Sequence, residues 1–146
     1  MSYVKCDRDL CVGCLTCVVT CMDHHYPETE ADAVPMRIYE RTVSERTGMV
    51  CYKTKSCIHC GEPACAAVCP ADVFFRDERG NVRMHRDRCI GCGACGGACP
   101  YGAIAYDSAG FAVKCDGCYE RTAAGKEPAC VRVCPVNALT VVPSPE

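Results

Sequence analysis

An α+β fold of short hairpins and helical turns, stapled by cysteines in place of a large apolar core, is what this sequence predicts. Three observations carry that expectation. Cysteine makes up 18 of 146 residues, above the roughly 8–10% that marks a cysteine-built scaffold. The chain has no Trp and only three Phe, so large rings cannot fill its interior, and its length fits one compact domain or two very small ones. The segments that read as strands are short and come in pairs around Gly-bearing turns.

In chain order, Met36–Val43 and Met49–Lys53 flank Ser44–Gly48, Val73–Asp77 and Asn81–His85 flank Glu78–Gly80, and Ala103–Tyr106 and Phe111–Lys114 flank Asp107–Gly110. Each pair reads as a hairpin with Gly in its turn. Short helical turns are expected after the Cys-Pro positions or across the C-x3-C spacings. The stretch Asp23–Pro35 is acidic, proline-bearing and without periodicity, so it reads as a surface loop, and more sharply as a partner-docking segment.

The cysteines fall into four groups. Cys11, Cys14, Cys17 and Cys21 are spaced C-x2-C-x2-C-x3-C; Cys57, Cys60, Cys65 and Cys69 are spaced C-x2-C-x4-C-x3-C before Pro70. Cys89, Cys92, Cys95 and Cys99 repeat the first spacing before Pro100, and Cys115, Cys118, Cys130 and Cys134 follow C-x2-C-x11-C-x3-C before Pro135. Cys6 and Cys51 are left over. The N-terminus has no apolar signal core or twin-arginine pair, so the cytoplasm is the expected compartment, where thiols stay reduced and such a pattern reads as metal binding. Zinc ribbons use two C-x2-C pairs and have no reason for a third cysteine two residues on and a fourth before proline. The third group is the bacterial ferredoxin run, in which three closely spaced thiolates wrap one cluster and the fourth ligates a neighbour. Glycines at 91, 93, 96 and 97 clear side chains where backbone must approach the inorganic core.

An internal repeat adds organisation. Glu62–Pro70 and Glu127–Pro135 agree at seven of nine positions, which signals a duplicated unit. Residues 51–106 read as a complete two-cluster ferredoxin-like module, so residues 1–50 with 107–146 form an outer two-cluster module around it. The expected fold is two nested α+β ferredoxin-like modules with short β-hairpins, held mainly by iron–sulfur clusters.

Four groups in this order, with a long spacer only inside the last, resemble the electron-transfer subunits of the dimethyl sulfoxide reductase iron–sulfur family from Cys11 to Pro135. The resemblance implies four 4Fe-4S clusters that relay single electrons. It implies ligand sets Cys11, Cys14, Cys17 and Cys134; Cys57, Cys60, Cys65 and Cys99; Cys89, Cys92, Cys95 and Cys69; and Cys115, Cys118, Cys130 and Cys21. It also implies a catalytic molybdenum- or tungsten-pterin partner, a formate dehydrogenase or a hydrogenase, with an FAD- or NAD-binding subunit as a further candidate and stacking of copies into longer relays. Group one departs from the pattern, with Met22 where the other groups have proline. The compact form is most similar to small polyferredoxin subunits of cytoplasmic enzymes, which makes tungsten-dependent aldehyde oxidoreductases and benzoyl-CoA reductases the favoured hosts. A free soluble polyferredoxin serving several enzymes is the alternative.

The remaining residues exclude other classes. A formal charge of -2 offers no basic field to nucleic acid, and no apolar run approaches the ~18 residues that cross a bilayer. No nucleophile–base pattern, carboxylate pair, Walker motif or C-x3-C-x2-C radical signature is present, so the chain reads as non-catalytic. Lys5, Lys55, Arg88 and Lys114 stand next to or near cysteines and read either as solvated surface or as charges that offset the clusters. Cys6 and Cys51 read as buried spare thiols, and His24, His25, His59 and His85 as surface or loop histidines. Ligation must then supply much of the folding free energy. Cluster-free protein is expected to be largely unfolded, seen as a circular-dichroism melt without a cooperative transition.

Overall fold

The computed structural model describes residues 1–26 and 30–145. Its elements are β1 (Ser2–Cys6), α1 (Thr16–His25), β2 (Ile38–Val43), β3 (Val50–Lys55), α2 (Ala64–Ala67), β4 (Phe74–Arg76), β5 (Val82–Met84), a 3-10 turn at Arg86–Arg88, α3 (Ala94–Ala98), β6 (Ala105–Tyr106), β7 (Ala112–Val113), α4 (Tyr119–Ala123), α5 (Ala129–Arg132) and β8 (Leu139–Pro143). Short helices and paired strands of this kind make a small α+β, ferredoxin-like fold.

The strands among the described residues form four separate antiparallel pairs. Three are the hairpins expected from the turns: β2 with β3, Ile38 opposite Lys55; β4 with β5, Phe74 opposite Met84; and β6 with β7, Ala105 opposite Val113. The fourth pair, β1 with β8, sets Ser2 opposite Pro143 and Cys6 opposite Leu139. No local turn signal announces it, because its partners lie at opposite ends of the chain.

The C-x3-C spacings do sit on helices. α2 and α5 carry the two copies of the internal repeat, and the copies agree bond for bond. Pro63 and Pro128 begin the turns, and their carbonyls accept from Ala66 and Ala67 in one copy and from Val131 and Arg132 in the other. Val68 and Val133 close them with nearly identical φ, -98° and -95°. The likeness runs past the prolines, where Asp72 and Asn137 both adopt positive φ and donate to the carbonyls of Cys69 and Cys134. Asp and Asn tolerate that conformation better than most side chains.

The expected loop at 23–35 is corrected in part. Asp23–His25 complete the last turn of α1, held there because the His25 ring is fastened to other elements. Positions 27–29 lie outside the described residues. Beyond them, the Tyr26 hydroxyl donates to the Val34 carbonyl at 2.8 Å.

The interior is two small apolar clusters built around sulfur. Val73, Phe74, Val82, Cys95 and Ala112 form one, with Cys65, Cys69 and Cys89 packed on it. Val4, Cys130 and Leu139 form the other, with Cys6, Cys17 and Cys134. Each fully buried Val or Phe contributes about 1.5–3 kcal/mol, and a handful of them cannot offset the ~1–2 kcal/mol per residue that ordering the backbone costs.

Gly96 shows how tightly the third cysteine group is fitted. The Tyr106 hydroxyl accepts from the Gly96 N–H at 2.9 Å, donates to the Gly93 carbonyl at 3.0 Å and lies 3.7 Å from Cys95 Sγ. A Cβ at Gly96 would collide with that hydroxyl, whereas one at Gly97 would meet nothing within 4 Å. The Gly96→Ala variant is expected to expel Tyr106 and lose roughly 1–3 kcal/mol. Thermal melts of the loaded protein check this, with Gly97→Ala expected to match or exceed wild type.

Candidate metal centres

The protein turns each C-x2-C pair with the same device. The third residue of each group, Gly13, His59, Gly91 or Gly117, has positive φ between 53° and 74°. That bend aims backbone donors inward: His59 N–H faces Cys57 Sγ and Gly117 N–H faces Cys115 Sγ, each at 3.4 Å. Further donors come from beyond the last cysteines, with Ala103 N–H 3.4 Å from Cys99 Sγ and Ala138 N–H 3.2 Å from Cys134 Sγ. From across the fold, Ala112 N–H lies 3.4 Å from Cys89 Sγ. Donors of this kind stabilise thiolates over thiols.

The cysteines converge in quartets, and each quartet takes three members from one sequence group and one from another. Cys57, Cys60, Cys65 and Cys99 line one cleft with Pro63, Ile104 and Lys114. Cys69 joins Cys89, Cys92 and Cys95 in a second, walled by Val73, Phe74 and Ala112. Cys134 joins Cys11, Cys14 and Cys17 in a third, walled by Leu15, Val136 and Leu139. The remaining four, Cys21, Cys115, Cys118 and Cys130, gather in the interior, where Cys130 feels the charges of Cys118, Cys21 and Cys115. Burial pushes the Cys65 thiol up to about 11 and the Cys115 thiol up to about 12, so these sites resist ionisation until a cation takes the proton's place. Apolar walls, four sulfurs and inward N–H groups fit a thiolate-bound iron–sulfur core.

A family profile described as "4Fe-4S dicluster domain" matches residues 48–143. The B subunit of the anaerobic dimethyl sulfoxide reductase of Escherichia coli (strain K12) is 41% identical, over 96% of this sequence and 72% of that protein. This protein belongs to the dimethyl sulfoxide reductase iron–sulfur subunit family. The thiosulfate reductase electron transfer subunit of Salmonella typhi is 39% identical, over 91% of this sequence and 71% of that protein. The B subunit of the polysulfide reductase of Wolinella succinogenes is 35% identical, over 92% and 72% respectively. As a member of this family the protein is a non-catalytic electron-transfer subunit of an oxidoreductase complex, and its cofactors are four 4Fe-4S clusters. No helix among the described residues is long and apolar enough to cross a membrane.

Several side chains stand differently from their sequence reading. His59 is fully buried, not on the surface: the positive φ turns it inward, its Nδ1–H donates to the Val82 carbonyl at 3.1 Å, and burial followed by the Lys114 charge pushes it down to about 4. Lys114 is buried, not solvated, because β7 carries it beneath β5. Lys5 and Arg88 are exposed, and Lys55 pairs with Glu40. His85 is half-buried and stacked on Phe75 at 4.4 Å. Cys6 and Cys51 are half-buried rather than buried, since each lies on a two-stranded pair that covers only one face.

His25 is the second histidine correction. Its Nε2–H donates to Asp116 Oδ1 at 3.0 Å and its Nδ1–H to the Cys21 carbonyl at 2.8 Å. Both nitrogens face acceptors, so the ring is an imidazolium, and His24 lies edge-on to it at 4.8 Å. The same Asp116 oxygen accepts from the Cys118 N–H at 2.8 Å. A clue was present in the sequence: an acid inside the Cys115–Cys118 loop and a histidine four residues after Cys21. Against its burial, hydrogen bonds to Asp116 and the cysteines hold His25 far above its usual 6.5, and His25 in turn holds Asp116 down to about 2, also against burial. Stability from the raised histidine is complete below about pH 6.5 and is lost as pH rises beyond it, while that from the depressed carboxylate is complete above about pH 4. The Asp116→Asn variant is therefore expected to melt below wild type by a margin larger at about pH 6 than at about pH 9, checked by paired melts of the loaded protein.

Proposed function

We propose that this protein is the electron relay of a molybdenum- or tungsten-pterin reductase acting on an oxidised sulfur compound. The relatives' names supply the substrate class: dimethyl sulfoxide, thiosulfate and polysulfide. They move the preferred host away from tungsten aldehyde oxidoreductases, which these relatives do not support.

The observation that carries the relay is the three-plus-one composition of the clefts, which supports the four ligand sets implied by the resemblance. Two quartets exchange a cysteine across α2 and α3, the other two across α1 and α5. That exchange, with β1 paired to β8 and α1 packed on α5, supports an inner and an outer module divided near the expected 50/51 and 106/107 boundaries, with β3 (Val50–Lys55) on the outer side because it pairs with β2. When bound, the clusters supply one-electron donors and acceptors in a row. The proposed order of that row is the Cys69 quartet, then the Cys57, Cys115 and Cys11 quartets; Lys114 between the second and third and Arg37 between the third and fourth support it.

Exposure sets where electrons enter and leave. Cys14 and Cys92 are the exposed cysteines, one in each terminal quartet, with Leu10, Val12 and Ile90 exposed beside them. The Cys115 quartet, in the middle, has Cys21, Cys118 and Cys130 buried. Partners therefore dock at the two ends. Sixteen cysteines read as cluster ligands favour folding in a reducing compartment such as the cytoplasm.

Metal analysis of natively purified, anaerobically handled protein tests the proposal. About sixteen iron atoms per polypeptide are expected, with molybdenum or tungsten in stoichiometric company; iron alone would indicate a free carrier. In Cys134→Ser the signal lost should be that of the Cys11 quartet, and loss of any other would overturn the pairing.

A further inference from the structure

Among the described residues two cations, Lys114 and Arg37, are buried and form no ion pair with a carboxylate. Lys114 is 3% exposed; its Nζ donates to the Val82 carbonyl and, at 2.8 Å, to the Cys115 carbonyl. Arg37 is 2% exposed; its Nη1 donates to Thr54 Oγ1 and its Nη2 to the Val4 carbonyl, both at 3.2 Å, and its Nε has no partner. Among the described residues neither forms an ion pair with a carboxylate, whereas Lys53, Lys55 and Arg86, at the surface, do. A buried charge with only neutral acceptors is one of the costlier arrangements in a protein, and it persists where an anion is close.

Asp116, which shares a cleft with Lys114, is bonded to His25; among the described residues the anion source that Lys114 and Arg37 have in common is sulfur. Lys114 lines the cleft of Cys57, Cys60, Cys65 and Cys99 and is bonded to the carbonyl of Cys115, so it stands between two quartets. Arg37 lies among Cys17, Cys115 and Cys130, and its Thr54 partner is 3.8 Å from Cys17 Sγ, so it too stands between two quartets. The pair occupies two successive gaps in the row.

We propose that Lys114 and Arg37 are shared counter-ions, Lys114 for the Cys57 and Cys115 quartets and Arg37 for the Cys115 and Cys11 quartets. This rests on the quartet assignment above. Each oxidised cubane with four thiolates carries about -2, and reduction adds another negative charge. A fixed cation between two such sites favours the reduced form of both, and in a dry interior it does so strongly. The Cys115 quartet is touched by both cations and the Cys69 quartet by neither, so the protein biases its row unequally. Lys114 and Arg37 are positioning residues for electrons: they form no bond to the transferred charge and set where it rests.

Redox titration monitored by electron paramagnetic resonance, on the loaded protein with its native partners, tests this. In Lys114→Met two of the four midpoint potentials should fall, and in Arg37→Met two should fall. One potential should move in both variants and one in neither, whichever signal belongs to which quartet. A tenfold change in the reduction equilibrium reads as 59 mV for a one-electron couple, and a shift of at least that size is expected. Lys114→Arg and Arg37→Lys should restore the wild-type values. Equal shifts in all four, no shift, or shifts of the same size in the charge-retaining variants would overturn the proposal. If a Met variant fails to assemble, Lys114→Gln and Arg37→Gln, which keep a donor but no charge, are titrated instead. Iron loss from both neutral forms without distinction of quartet would overturn it too. Fewer than four signals in wild-type protein would overturn the quartet assignment itself, whereas four signals with unmoved potentials would overturn only the counter-ion role.

Discussion

Thiols from distant parts of a short polypeptide have to meet in fours, in places from which water is excluded and toward which backbone N–H groups point. That requirement explains features that would otherwise look like defects: left-handed backbone at Leu15, His59 and Cys118, strand pairs with no third strand among the described residues, and apolar residues that pack on cysteine as well as on each other. A protein that must wrap inorganic cores uses turns where other small proteins use layers. Its strands are short because they only have to brace the loops between cysteines.

Legibility from the amino-acid sequence followed range. The hairpins at Ile38–Lys55, Phe74–Met84 and Ala105–Val113 were readable because each has its turn residues between its strands. The β1–β8 pair was not, because strand pairing across the whole sequence leaves no local mark. The cysteine groups were readable from spacing. Which fourth cysteine joins which trio came only from resemblance, since the crossing of partners is a tertiary fact. The histidines failed for a similar reason: His59 reads as a loop residue, and only the inward turn of its backbone buries it.

Charge was the other blind spot. Composition gives a nearly balanced protein, which says nothing about where the balance is struck. In the folded protein the surface cations that lie near carboxylates pair with them, as Lys53 does with Glu40 at 2.8 Å, while Arg37 and Lys114 are kept inside with sulfur. His25 and Asp116 make a third internal arrangement, a closed pair that ties α1 to the Cys115–Cys118 loop. The interior is thus electrically organised, although its apolar content is slight.

The pairing of β1 with β8 bears on how the protein is made. Ser2–Cys6 leaves the ribosome long before its partner, Leu139–Pro143, is made. For almost the whole of that interval the N-terminal strand has an unpaired edge, the kind of surface on which nascent polypeptides associate wrongly. Val4, the buried member of that strand, packs with Leu139 and Cys130 and so is not fully covered until they arrive. Joining of β1 to β8 therefore comes only after everything between them has been made.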